Sequence, residues 1–142
     1  MTHSRPVVVV GAIVVDDGRL LLVRRGHGPA AGTWAIPGGR VERGETLVEA
    51  VTRELREETG IEGVCGPLVG FAEMLPADGH EGDDGHFVML DFEVSLLESA
   101  EPVAASDATA ARWVPLVDVT DLALAPGLAE FLHDHDIIAT IT

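Results

Sequence analysis

The residue pattern of this chain is that of an α/β fold in which a mixed β-sheet is packed by helices. Three features carry that reading. Aliphatic, β-branched runs come early, at Pro6 to Val15 and Arg19 to Arg25. One helix is marked at both ends, between Thr46 and Gly60. Strand-like runs then return, from Val64 to Leu75 and from His86 to Leu97.

Pro6 to Val15 reads as a buried strand, because apolar residues continue without the polar alternation of a half-exposed one. Asp16-Asp17-Gly18 is a turn signal, and Arg19 to Arg25 is the return strand of a hairpin. Gly26 to Thr33 is a loop, and Trp34-Ala35-Ile36 a short extended piece. Pro37-Gly38-Gly39 then bends the chain, since glycine reaches backbone conformations closed to other residues. Thr46 and Glu49 have the spacing of a capping box, with Leu47, Val51 and Leu55 as an apolar stripe and Gly60 as the C-cap. Pro76 to Gly85 and Glu98 to Thr109 are polar loops. Ala110 to Val114 is a short strand, Val117 to Leu124 holds one helical turn, and Gly127 to His135 forms a terminal helix.

A length of 142 residues predicts one domain, 1–142, with a hydrophobic core. At 46% hydrophobic residues the chain is not of the disordered class. No apolar run is long enough to span a bilayer, and the run near Val7 to Val10 reads as a strand, not a signal peptide. The single cysteine, Cys65, has no internal partner for a disulfide, so a cytoplasmic location is expected. Net charge is −15, and all nine basic residues are arginine. Such a chain repels nucleic-acid polymers and anionic membranes at long range. It repels free nucleotides too, unless a cation compensates locally.

The strongest chemical signal is on the central helix. At about 100° per residue, Glu54, Glu57 and Glu58 share one face. Glu54 and Glu58 are like charges four apart, which opposes helix formation by a few tenths of a kcal/mol. All three also lie near the helix C-terminus, where the dipole disfavours negative charge. Carboxylates gathered where local electrostatics oppose them invite a hard divalent cation: Mg²⁺, Mn²⁺ or Ca²⁺. A plain solvated helix face is the competing reading, and Arg53 softens the repulsion if it pairs with Glu49 and Glu57.

Gly39, Glu45, Arg53, Glu54, Leu55, Glu57, Glu58, Gly60 and Ile61 fit every fixed position of G-x5-E-x7-R-E-U-x-E-E-x-G-U, where U is bulky and aliphatic. The chain therefore resembles the Nudix (MutT-like) hydrolase family, with its box at 39–61. The resemblance implies an α/β/α sandwich with a mixed sheet. It also implies hydrolysis, with Mg²⁺ or Mn²⁺, of a phosphoanhydride in a nucleoside diphosphate linked to another group. ADP-ribose-like dinucleotides, nucleoside-diphosphate sugars and (d)NTPs all remain open as substrates. The rival is a Nudix-fold sensor that binds a nucleotide without turnover. The intact box and the lack of an appended DNA-binding segment favour the enzyme. Many family members are homodimers, though nothing in this sequence specifies an interface.

By the same resemblance Glu54, Glu57 and Glu58 are metal ligands, and Glu45 joins the site directly or through water. The carbonyl of Gly38 is a further ligand, and Arg53 orients the glutamates. Glu57 or Asp107 takes the proton from water; Asp107 shares its loop with Glu98 and Glu101 but lies closest to Trp113. Arg24 and Arg25 end a strand, where they either grip substrate phosphates or merely offset the acidic surface. Trp34 and Phe87 are core residues before they are stacking platforms. The Asp78 to His86 loop fails the EF-hand pattern and reads as a mobile loop or a substrate lid. His133 and His135 read as a solvated helix end.

Overall fold

The computed structural model describes residues 5–28, 30–75 and 85–139. The chain runs through β1 (Val7–Ile13), β2 (Val15–Asp16), β3 (Arg19–Arg25), β4 (Trp34–Ala35) and β5 (Gly38–Arg40), then α1 (Leu47–Thr59). It continues through β6 (Gly63–Met74), β7 (Phe87–Leu96), β8 (Ala108–Pro115), a 3-10 helix (Leu116–Asp121) and α2 (Leu128–Asp134). The strands form two four-stranded sheets. The first has the order β5-β1-β7-β6 and is mixed, because β1 and β7 run parallel. The second is antiparallel, with β3 between β4 and β8 and β2 alongside.

The expected strand from Pro6 to Val15 is in fact divided. The chain leaves the first sheet after Ile13 and enters the second at Val15, with the side chain of Val14 fully buried at the crossover. The hairpin turn is as read: Asp17 and Gly18 both take positive φ, 53° and 73°, as a type I′ turn requires. Only two residues of β2 pair with β3, however; the long partner of β3 is β8, which begins at Ala108, two residues before the expected start.

α1 begins and ends where the sequence marks it. The Thr46 hydroxyl accepts from the Glu49 amide at 3.1 Å, and Glu49 returns the bond to the Thr46 amide at 2.8 Å. Gly60 closes the helix in the left-handed region at φ 74°. Val51 and Leu55 are buried as the stripe predicts, joined by Ala50 and Thr59. Leu47 is exposed, so the stripe is buried only from Val51 onward. Thr46→Ala is expected to cost about 1 kcal/mol, a fall in Tm of about 4 °C by thermal melt.

Two apolar clusters fix the layers. Val10, Ala12, Leu21, Val51, Leu55 and Phe92 pack beneath α1. Ile13, Leu20, Leu22, Val114, Phe131 and Leu132 pack on the α2 side. Adjacent residues of β1 and β3 thus point to opposite clusters, as strand geometry demands. Among the described residues, no helix is long and apolar enough to cross a membrane.

Candidate active site

The site is built where β5 meets the last turns of α1. Arg53 organises it. Its Nε and Nη2 donate to the two oxygens of Glu45 at 2.6 and 2.9 Å, a two-pronged pair. Nη1 reaches Glu54 at 3.2 Å and Glu57 at 3.1 Å, and Nη2 also donates to the Arg40 carbonyl at 3.0 Å. One guanidinium thereby ties the loop before the helix, two helix carboxylates and the β5 backbone together. The expected pairing with Glu49 is not formed, since the Glu49 carboxylate is engaged in the capping box.

Glu45 is held by Arg53 and by the Glu42 amide at 2.9 Å. These bonds pull its carboxyl down to about 2, the Arg53 hydrogen bond being the main cause. The guanidinium of Arg53 is in turn held more firmly protonated by Glu45. Glu45 is therefore a permanent anion whose lone pairs face Arg53.

Gly38 and Gly39 do not serve the site by unusual backbone angles; neither has positive φ. They serve it by close approach. A β-carbon on Gly39 would run into the Glu54 carboxylate, and one on Gly38 into the Val10 carbonyl. The bare backbone lets the Gly38 amide donate to Glu58 Oε1 at 2.9 Å. Glu58 is 7% exposed, and burial pushes its carboxyl up to about 7. The Gly38 hydrogen bond opposes that rise, while Glu54 and Asp107 add to it and Arg25 counters it. The Glu54 carboxyl is also raised, first by burial, with Arg53 acting against and Glu57 and Asp107 acting with it.

Asp107 and Arg25 thus share the electrostatic field of the helix carboxylates. Asp107 is anchored through its carbonyl, which accepts from the Gly26 amide at 2.9 Å. Its side chain is exposed, 3.7 Å from His27. Arg25 acts on Glu58 and so lies on the α1 side of β3, the side of Leu21, whereas Arg24 follows Leu20 and Leu22 on the other. The strand therefore separates the two arginines. Glu57 is the most open of the three helix glutamates, its side chain 45% exposed. Glu98 and Glu101 are exposed loop residues.

Among the described residues no three carboxylate, imidazole or thiol side chains already converge as a ligand cage, because Arg53 holds Glu57 and one edge of Glu54. A surface concavity of about 450 Å³ borders Arg53 and Glu45 from outside, and one of about 360 Å³ lies by Arg112 and Asp118. Neither contains Glu54, Glu57 or Glu58. The helix carboxylates therefore lie outside both concavities.

Trp34 is half-buried against the α2-side cluster, and the Arg112 guanidinium stacks 4.8 Å from its ring centroid. That pairing was not visible in the sequence, since 78 residues separate the two. Phe87 opens β7 half-buried. The Asp78 to His86 loop lies outside the described residues up to position 84; His86 itself contacts Glu73 at 2.7 Å. His133 and His135 are exposed at the end of α2, as read, with the His135 ring 4.3 Å from that of Phe131 and over Gly70.

Comparison with known proteins agrees with this geometry. The NUDIX domain family matches residues 5–135. An ADP-ribose pyrophosphatase from Methanocaldococcus jannaschii is 36% identical over 121 residues, covering 85% of this chain and 69% of that protein. A CTP pyrophosphohydrolase from Escherichia coli is 47% identical over 62 residues, 43% of this chain and 46% of the relative. Among solved structures, a MutT protein from Methanosarcina mazei superposes with a TM-score of 0.78 at 27% identity, covering 96% of this chain and 97% of that one. With the family match extending from β1 to α2, and the box ordered around Arg53, this chain belongs to the Nudix family and is a pyrophosphohydrolase.

Proposed function

We propose that the enzyme is a divalent-metal-dependent hydrolase of nucleoside diphosphates carrying a second group, with ADP-ribose-like compounds as the leading class. The observation that carries the metal reading is the buried Glu58 carboxyl, held by the Gly38 amide beside the partly buried Glu54. Two neighbouring carboxyls whose charged forms are disfavoured by burial have the chemistry of a hard-metal site. Mg²⁺ or Mn²⁺ fits their oxygen donors. The substrate class follows from the relative that matches 85% of the chain, an ADP-ribose pyrophosphatase; nucleoside-diphosphate sugars and (d)NTPs come next.

Glu54, Glu57 and Glu58 are the residues that would hold the metal, with the Gly38 carbonyl alongside and Glu45 acting at one remove. When bound, the metal supplies charge neutralisation of the diphosphate and activation of water. The chain's own part is mostly positioning, which suits phosphoryl chemistry without a nucleophilic side chain. Arg53 keeps Glu45, Glu54 and Glu57 in register. Glu57 or Asp107, both solvent-facing, is the acceptor for the proton of the attacking water. Arg25, on the carboxylate side of β3, takes substrate phosphate; Arg24, on the opposite face, offsets the acidic surface. Water attacks one phosphorus, the bridging P–O bond breaks, and two phosphate monoesters leave.

Arg53→Lys keeps the charge but loses the two-pronged geometry. It is expected to lower kcat/KM by about 10- to 100-fold, the usual effect of losing an outer-shell orienting group. Steady-state kinetics at saturating metal check this. The overall reading is tested by product analysis on ADP-ribose, nucleoside-diphosphate sugars, dinucleoside polyphosphates, dNTPs and 8-oxo-dGTP with Mg²⁺ and Mn²⁺. Metal-dependent release of AMP and ribose 5-phosphate from ADP-ribose supports it. Binding without turnover on every compound would make the chain a nucleotide sensor instead.

A further inference from the structure

Asp107 is carried on a short strap that is tied down on both sides. The Val103 amide donates to the Thr59 carbonyl at 2.9 Å, and the Ala105 amide to the Glu58 carbonyl at 3.2 Å. Both acceptors lie in the last turn of α1, where carbonyls have no partner inside the helix. Two residues on, the Asp107 carbonyl accepts from the Gly26 amide at 2.9 Å, next to Arg25. The Ala108 amide closes a turn back to the Ala105 carbonyl at 3.1 Å. The backbone of residues 103–108 is thus fixed against both α1 and the end of β3.

The local backbone departs from the ordinary to hold this position. A β-carbon on Gly26 would stand 2.9 Å from the Asp107 carbonyl oxygen and 2.9 Å from Thr109 Cγ2, so glycine supplies the clearance. Thr109 is itself the extra residue of a bulge, since Arg24 pairs with Ala110 but Arg25 with Ala108. A bulge bends the strand end and re-aims the residues beside it. Ser106, in the turn, has φ 58°. Among the described residues the other positive non-glycine angles are at Asp17 and Asp136, in the β2–β3 turn and just after α2. Aspartate is enriched in that region, whereas serine is not. A serine held there, one residue before a carboxylate, is local strain that the surrounding bonds maintain.

The strap fixes the backbone of Asp107 and leaves its side chain open. The carboxylate is 79% exposed, 3.7 Å from His27. Glu57, by contrast, has one oxygen engaged by Arg53. From Ala105, bonded to Glu58, to Asp107 is two residues, at most about 7 Å of chain. The angle at Ser106 decides which way that short span runs. A negative φ there would swing the next peptide away from Gly26 and carry the carboxylate with it.

We propose that Ser106 is a positioning residue: its left-handed backbone, with the strap bonds on either side, sets where the Asp107 carboxylate stands relative to α1. This rests on the hydrolase reading and on Asp107 as the proton acceptor in it. The hydroxyl of Ser106 has no part; what counts is a residue that holds positive φ. Glycine and asparagine do so readily, whereas a β-branched residue does not.

The test uses the full chain as wild type, Ser106→Val, Ser106→Gly, Ser106→Asn, Asp107→Ala and the Ser106→Val Asp107→Ala double variant. Steady-state kinetics with Mg²⁺ and the best substrate of the panel above give kcat and KM. Hydrogen exchange at the Ala105 and Gly26 amides reports the strap itself. Ser106→Val is expected to lower kcat by about 10- to 100-fold, with KM within about twofold, and to speed exchange at both amides. Ser106→Gly and Ser106→Asn are expected to restore both. Ser106→Ala, which strains the turn less, replaces the valine variant if that one does not fold. In the Asp107→Ala background Ser106→Val should cost nothing more, because it acts through the missing carboxylate. A lowered Tm with kcat unchanged would make the strap purely structural and overturn the proposal. Losses that multiply in the double variant would also overturn it, as would an unaltered kcat in Asp107→Ala, which leaves the proton to Glu57. In all three cases the wild type still turns over and the hydrolase reading stands. A wild type that binds nucleotides and hydrolyses none fails that reading and overturns the positioning role with it.

Discussion

Glu58→Gln is expected to lower kcat/KM by about 10³-fold, a loss of about 4 kcal/mol of transition-state stabilisation. The fold should survive, because the amide oxygen of glutamine still accepts from the Gly38 amide at the position Glu58 Oε1 now occupies. What is lost is the anion. Removing it even relieves the protein, since burial and the neighbouring Glu54 both disfavour the charged form. The expected signature is therefore inactivation with an unchanged or raised Tm in metal-free buffer above pH 7. Inactivation with a collapsed melt would mean that Glu58 is a structural residue and not a ligand.

The second large effect is a coupling of metal and pH. The Glu58 carboxyl is raised from 4.5 to about 7. A carboxyl raised on folding favours the protonated native state, so its contribution is fully present below pH 4.5 and is lost as pH rises through about 7. The metal-free enzyme should therefore lose stability across that window, by about 3 kcal/mol at most from this group. Glu45 acts in the opposite sense and elsewhere: with its carboxyl lowered to about 2, its contribution holds above 4.5 and fades only in strong acid. A divalent cation held as proposed would compete with the Glu58 proton. Its stabilisation of the fold should accordingly grow from pH 6 to pH 8, and its apparent affinity should fall as pH drops below about 7. Thermal melts with and without Mg²⁺ at a series of pH values measure both. A metal effect independent of pH, or one that survives unchanged in Glu58→Gln, would separate the metal from this carboxylate.

Much of the site was legible because it is local. The capping box, the C-cap glycine and the shared face of Glu54, Glu57 and Glu58 depend on spacing within one helix, and spacing is what a sequence displays. What was missed depends on neighbours distant in the chain. The division of Pro6 to Val15 between two sheets leaves no mark at Val14, which is apolar like its neighbours and is buried at the crossover. The role of Gly38 and Gly39 was assigned to backbone freedom, when the structure makes it a matter of clearance from Val10 and Glu54. The expected Arg53 to Glu49 pair failed because two local motifs competed for one carboxylate and the cap took it.

The proposed reaction stands or falls with the carboxylates of α1 binding a divalent cation. Mn²⁺ binding followed by electron paramagnetic resonance decides this, with wild type and the Glu57→Gln Glu58→Gln variant compared at pH 8 in the presence of ADP-ribose. The wild type should take up Mn²⁺ and the variant should leave it free. Equal uptake by both proteins, or none by the wild type, would contradict the assignment of the site.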